Sequence, residues 1–286
     1  MTTNDELILV TGGTGKTGRR VAQRLRTAGR TIRVASRNTE PPLDWDNRAT
    51  WAPVLDGVHT AYLAYAPDVG FPGADTTLGA FAQHAVTAGV RRLVLLTGRG
   101  EAGAVRSEQA VRAAVDAAGA QLVVLRAAFF AQNFSEDFLQ EAVCEGVIAF
   151  PADQVTEPFL DLEDVAEVAA AVLIEDGHAG RTYELTGPRL LSFPEAINAI
   201  GAACGRTLRY MPVSGAEFGD GLKAAGLPAR FVGQLVALLE DVLDGHNAHL
   251  ADGVRQVLGR DPVDFIEYTR RAAAAGAFNA APAPSR

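Results

Sequence analysis

Lysine is nearly missing. Of 26 basic residues only Lys16 and Lys223 are lysines, so chemistry that needs an ammonium group has two places to look. Cysteine is as scarce. Cys144 and Cys204 could close one bridge at most, and free thiols in a reducing cytoplasm are the expectation. No apolar run approaches the roughly 20 residues that span a bilayer. The opening MTTNDELILV lacks the basic start and the long apolar stretch of a secretory signal. A cytoplasmic protein with no membrane partner is expected. A basic cluster is missing too. The formal charge is −8, and the pairs Arg19-Arg20, Arg91-Arg92 and Arg270-Arg271 are scattered, which argues against nucleic acid. Among five histidines only His246 and His249 stand close, without a cysteine or carboxylate at ligand spacing, so no metal site is expected. No G-x-S-x-G elbow offers a serine nucleophile.

What is present is material for a core. The 286 residues are 48% hydrophobic and 21% charged, enough for one large domain or a large one with a small appendage. The first half alternates nearly continuous apolar runs, at 7–11, 32–36, 61–64, 93–97 and 122–125, with helical patterns at 16–28, 76–88 and 105–118 and a short turn around 51–55. Runs buried on both faces and repeated β-α-β units predict a parallel sheet covered by helices. Further on, 163–175 reads as an amphipathic helix and 182–185 as a late strand. The segments 194–204, 216–225, 229–243 and 264–275 read as helices. The expected architecture is α/β: a Rossmann doubly wound parallel sheet with a small, mostly helical C-terminal lobe for the substrate. Residues 1–150 are assigned to the nucleotide-binding core. Residues 151–280 complete it and build the lobe, and 281–286 form a frayed tail. The helix over 231–243 suits a lid or a dimer face, so a monomer or a homodimer is expected.

The first strand runs into TGGTGKTG. Gly12, Gly15 and Gly18 have the G-x-x-G-x-x-G spacing between a strand and a helix, the setting a dinucleotide loop requires. Glycine allows the tight turn and a close approach of backbone to ligand. The free N–H groups and positive end of the helix then face a pyrophosphate. Thr14 and Thr17 can add hydroxyl donors, and Lys16 adds positive potential. A Walker A loop is excluded, since its first glycine would fall on Val10. The second strand ends in Ser36 and Arg37 where an NAD-binding fold typically carries Asp or Glu. A guanidinium there suits the ribose 2′-phosphate of NADP(H). The alternative is a solvated strand-end arginine.

TGGTGKTG, DWDNRATW, LVLLTGRGE, VLRAAFFAQNFSEDF, EPFLDLEDVA, HAGRTYELTGPRLLSFPEA and GRDPVDFIEYTRRAAAAGAF follow one another in order. Together they resemble the NmrA-like branch of the atypical short-chain dehydrogenase/reductases, and within it the bacterial relatives of ergot-alkaloid reductases of the festuclavine dehydrogenase type. The resemblance implies a substrate cleft between core and lobe. It implies that Thr14 to Thr17 and Arg37 touch cofactor phosphates, and that Tyr65 and Ala66 lie near the cofactor ribose. Thr97 and the backbone of 128–130 would flank the nicotinamide, so Phe130 serves cofactor and substrate alike. Phe130, Asn133 and Phe134 would wall the substrate site, though the phenylalanines also suit a plain core and Asn133 a helix cap.

Against that family one thing is missing. Many short-chain dehydrogenases reduce carbonyls with Tyr-x-x-x-Lys, and none of Tyr62, Tyr65, Tyr183, Tyr210 and Tyr268 has a lysine four residues on. A ketone needs a proton as hydride arrives. An iminium ion, an enone or a quinone does not need it from such a pair. The reading is an NADP(H)-dependent oxidoreductase of specialised metabolism acting on a hydrophobic small molecule with such an acceptor. Thr97 and Arg99 are the weak catalytic candidates, Arg99 being otherwise a surface turn residue paired with Glu101. Asp161, Glu163 and Asp164 precede a helix and suit its dipole and cap rather than catalysis. The alternatives are a non-catalytic NADP-binding redox sensor of the NmrA type, and a non-redox biosynthetic enzyme on the same fold.

Overall fold

The computed structural model describes residues 6–279, and the tail expected at 281–286 lies outside the described residues. From its start the chain forms β1 (Leu7–Thr11), α1 (Lys16–Thr27), β2 (Ile32–Ala35), α2 (Trp51–Leu55), β3 (Val58–Leu63), α3 (Ala74–Thr87), β4 (Arg92–Gly98), α4 (Ala102–Ala117) and β5 (Gln121–Ala127). Next come α5 (Asn133–Glu136), α6 (Gln140–Glu145), β6 (Val147–Phe150), β7 (Thr156–Glu157), α7 (Leu162–Ile174) and β8 (Thr182–Leu185). The rest is β9 (Leu191–Ser192), α8 (Phe193–Cys204), β10 (Arg209–Pro212), α9 (Gly215–Ala224), α10 (Ala229–Val242), α11 (Gly253–Leu258) and α12 (Phe265–Ala274).

Packing divides these elements into two interleaved units. The first takes the described residues up to Ala127, then Leu162–Leu185 and Asp252–Asp261. The second takes Ala128–Asp161, Thr186–Ala251 and the described residues from Pro262 on. The cut expected near residue 150 is not among the boundaries between these units.

The first unit is built on a six-stranded sheet in the order β2-β1-β3-β4-β5-β8. Every neighbouring pair is parallel. The Rossmann architecture expected from the alternating runs is therefore present. Leu9, Val94, Leu95, Val123 and Val124 are fully buried, as strands covered on both faces must be. α1 turns Val21, Ala22 and Leu25 inward, a spacing of one helical stripe. It packs against α7, while α3 packs against α4. Glu163 and Asp164 stand in the first turn of α7, as expected, and both also pair with arginines. Arg20 Nε pairs with Glu163 at 2.8 Å, and Arg260 pairs with Asp164 at 2.8 Å and with Glu167 at 2.8 Å. α11 returns to pack on α7 and β8, and a Cβ on Gly253 would stand 2.3 Å from the Glu184 carbonyl oxygen.

The second unit holds α5, α6, α8, α9, α10 and α12, with a parallel pair β6–β10 and an antiparallel pair β7–β9. Its core is aromatic: Phe134, Phe150, Phe159, Phe193 and Phe278 are fully buried. α8 and α9 each start on a serine capping box, Ser192 with Glu195 and Ser214 with Glu217. Among the described residues no helix is long and apolar enough to cross a membrane.

Candidate functional site

The loop after β1 closes on itself. Gly15 N–H donates to the Gly12 carbonyl at 2.8 Å, and Gly12 sits at φ +59°, in the left-handed region that favours glycine. A Cβ on Gly18 would lie 2.3 Å from the Gly12 carbonyl oxygen and 2.8 Å from the Gly13 Cα, so α1 can approach the loop only without a side chain there. Gly13 is equally constrained, its Cβ falling 2.3 Å from Val34 Cγ1 on β2. α1 begins at Lys16 with Gly15 as N-cap, no side-chain cap and no acidic residue in its first turn. No side-chain cap and no carboxylate of its own first turn is spent on its leading N–H groups. Thr14 and Gly15 are exposed, and Thr17 is half-buried. Thr11 secures the loop from below, accepting the Ala64 N–H at 2.9 Å and donating to the Tyr62 carbonyl at 3.1 Å.

Beside this loop β2 ends at Ala35, and Ser36 follows it. Its N–H donates to Thr39 Oγ1 at 2.9 Å and its own hydroxyl accepts the Asn38 N–H at 3.3 Å, which folds the chain into a turn. Arg37 stands on the turn, exposed, and has no ion-pair or hydrogen-bond partner among the described residues. At the end of β3, Tyr65 leans on Trp45 with ring centroids 5.2 Å apart, and Ala66 is exposed. Burial pushes the Tyr65 hydroxyl above its ordinary pKa, with a hydrogen bond to Thr77 acting against it and the charge of Asp46 with it. The next carboxylate, Asp68, accepts the Gly70 N–H at 2.7 Å. Burial raises its pKa, and the Gly70 N–H and the Lys16 ammonium pull it back.

A chain of charges joins the ends of β4, β5 and β8. Thr97 Oγ1 donates to Glu108 Oε1 at 2.9 Å. Arg126 forks onto the same carboxylate, Nε to Oε1 at 2.9 Å and Nη2 to Oε2 at 2.7 Å, and this pairing holds its guanidinium above the ordinary pKa. Arg126 Nη1 also reaches Glu184 at 3.5 Å, and Glu184 takes Arg99 Nε at 3.3 Å. Thr97, Arg99 and Glu108 are buried. Arg99 is thus buried rather than a surface turn residue, and it pairs with Glu184. Glu101 packs so closely on Gly98 that a Cβ there would fall 1.6 Å from its Oε1.

In the second unit Phe130 bridges to Leu160 and stays partly exposed, whereas Asn133 is buried and opens α5 rather than capping it; the N-cap is Gln132. Phe134 is fully buried among Phe129, Phe159, Phe193 and Phe265, so its ring is core and is not available as a substrate wall. Asp161 is buried too. It accepts Gln132 Nε2 at 2.7 Å and pairs with Arg271, directly before the start of α7. No cluster of three or more metal-ligating side chains occurs among the described residues.

No protein-family model matches the chain. Individual proteins do. An uncharacterized oxidoreductase of Bacillus subtilis, YesF, is 32% identical over 278 residues, covering 93% of this chain and 95% of its own. Festuclavine dehydrogenase easG of Aspergillus fumigatus is 29% identical over 285 residues, covering 92% and 97%. The chain belongs to the NmrA-like atypical short-chain dehydrogenase/reductases. A Citrobacter sp. triphenylmethane reductase, solved with NADP(H), shares the fold: 22% identity, TM-score 0.77, with 94% of this chain and 99% of that one covered.

Within this NmrA-like chain the structure gathers one set of expected residues in the first unit. The glycine loop, Ser36, Arg37, Tyr65, Ala66 and Thr97 all lie at or just beyond the carboxyl ends of β1 to β4. Phe130, Asn133 and Phe134 belong to the second unit. Reading the sequence missed Gly13, Asp68 and the carboxylates Glu108 and Glu184. Gly13 had a signal, the doubled glycine. So did Arg126 and Glu184, charges at the ends of otherwise apolar strands, but their pairing spans 58 positions of chain and no spacing rule announces it.

Proposed function

We propose that this chain is an NADP(H)-dependent reductase that passes hydride to a hydrophobic small molecule whose acceptor is an iminium, enone or quinone-like group. The glycine cradle supports a dinucleotide: Gly13 and Gly18 leave no room for a Cβ, and the uncapped start of α1 suits a pyrophosphate. The unpartnered Arg37 suits a 2′-phosphate, to which its guanidinium can donate two parallel hydrogen bonds. When bound, the nicotinamide supplies the hydride.

The single observation behind the acceptor class is the commitment of Thr97 and Arg99. The Thr97 hydroxyl proton is given to Glu108, itself held by Arg126, and Arg99 is buried on Glu184. The Thr97 proton is then not available to a nascent alkoxide, and Arg99, a permanent cation, is no proton donor, whereas a ketone reductase requires one. An iminium ion loses its charge when hydride arrives, and a conjugated acceptor can draw its proton from water. The names of the relatives support a reduction of this kind: a festuclavine dehydrogenase by sequence, and by fold a triphenylmethane reductase connected with triphenylmethane dyes. The same commitment of Thr97 and Arg99 also suits a sensor that binds NADP(H) without consuming it.

The test is NADPH and NADH consumption by the purified chain with a cyclic iminium, a quinone, an enone and a simple ketone. Turnover with NADPH and one of the first three, and little with the ketone, is expected. Phe130→Ala or Asn133→Ala should change turnover while cofactor affinity holds. Ketone reduction as fast as the others would overturn the acceptor class. Binding without consumption of NADPH across the panel would favour the sensor.

A further inference from the structure

In a parallel sheet all strands start at one edge, and the glycine loop lies at the other. The starting edge of the six-stranded sheet carries a cavity of about 190 Å³, lined by Glu6, Arg30, His59, Arg91, Arg92 and Asp176 among others. Arg92 is consumed in its wall. Its guanidinium donates to the Glu175 carbonyl at 2.7 Å and to Gln121 Oε1 at 3.0 Å, and pairs with Asp176 at 2.8 Å. Arg30 and Arg91 differ. Neither guanidinium has a hydrogen-bond or ion-pair partner among the described residues, yet the backbone beneath each is fixed. Arg30 N–H donates to the Leu25 carbonyl at 3.0 Å, just after Gly29 at φ +69°. Arg91 N–H donates to the His59 carbonyl at 2.8 Å, and its own carbonyl accepts the Gln121 N–H at 2.8 Å. With Asp176 spent on Arg92, Glu6 is the remaining carboxylate of the lining, and it too has no partner among the described residues.

We infer that this cavity binds a phosphate group that keeps one proton. Arg30 and Arg91 supply forked donors to its oxygens. Glu6 repels a bare oxyanion and accepts a hydrogen bond from a P–OH, so hydrogen phosphate is favoured over sulfate, which has no proton to give at neutral pH. The volume is below the roughly 300 Å³ at which pockets for drug-sized ligands begin, so the ligand is small. The site is separate from the glycine loop and independent of the function proposed above.

Calorimetric titration of the full chain with inorganic phosphate, methyl phosphate and sulfate tests it. One saturable phosphate site is expected in the wild type and in Arg37→Ala. The double variant Arg30→Ala/Arg91→Ala should lose at least about tenfold in affinity, with an unchanged circular dichroism spectrum, because neither guanidinium holds the fold. Glu6→Gln should narrow the gap between phosphate and sulfate. Binding of inorganic phosphate alone supports a free-phosphate ligand, and binding of methyl phosphate that strengthens as pH falls through about 6, where its monoanion carries a P–OH, supports a phosphate monoester. The inference is overturned if no saturable site exists, if the double variant binds as the wild type does, or if Arg37→Ala abolishes binding and so assigns the anion to the nucleotide loop.

Discussion

Arg37 puts the cofactor reading on one charge. Arg37→Asp should weaken NADPH binding by about 1–3 kcal/mol, the scale of a lost charge-assisted contact, and leave NADH binding nearly unchanged; fluorescence titration of both cofactors checks it. Asp68 carries a pH dependence. Burial raises its pKa in the folded state, so the folded chain holds that proton more tightly than the unfolded one. The stability gained this way is complete at acid pH, below the ordinary carboxylate range, and is lost as pH rises through the folded value. Asp68→Asn, which can still accept the Gly70 N–H, should therefore raise the melting temperature relative to wild type at neutral pH and lose that advantage in acid. A third residue corrects an expectation. Phe134 is fully buried in the aromatic core, so Phe134→Ala should cost about 3–5 kcal/mol in denaturant unfolding, where a pocket residue would cost mainly turnover. The sequence offered both readings of that phenylalanine, because an apolar ring suits a core and a substrate wall alike. Arg99 was harder: its partner Glu184 lies 85 positions away along the chain, and no local pattern connects the two.

At the scale of elements, strand, loop and helix were legible together from 7 to 28, because an apolar run, spaced glycines and an amphipathic stripe all agree there. Gly18→Ala is the sharpest probe of that unit. Its Cβ would meet backbone atoms of Gly12 and Gly13 that have no soft end to yield. Thermal unfolding should show a loss of about 1–3 kcal/mol, together with loss of nucleotide binding. The short pieces were not legible. β7 and β9 have two residues each, and α5 has four, so none carries a period long enough to read. α11 was missed because its start is dictated by space, Gly253 lying against the Glu184 carbonyl, and not by a pattern of its own.

For the whole molecule, the alternation of strands and helices made the Rossmann sheet readable, while the path of the chain between its two units was not. Leaving the first unit at Ala127 and returning at Leu162 and again at Asp252 depends on packing between distant segments, and composition does not change at those points. The same distance dependence governs the chemistry, since Thr97, Glu108, Arg126, Glu184 and Arg99 form one network from three strands and a helix. Deuteride transfer from NADPH labelled on the nicotinamide tests the resulting account most directly, with a cyclic iminium and a simple ketone offered side by side and the products read by mass spectrometry. The account predicts deuterium on carbon in the amine and no labelled alcohol above the enzyme-free level. Labelled alcohol forming at a rate comparable to the amine would contradict it.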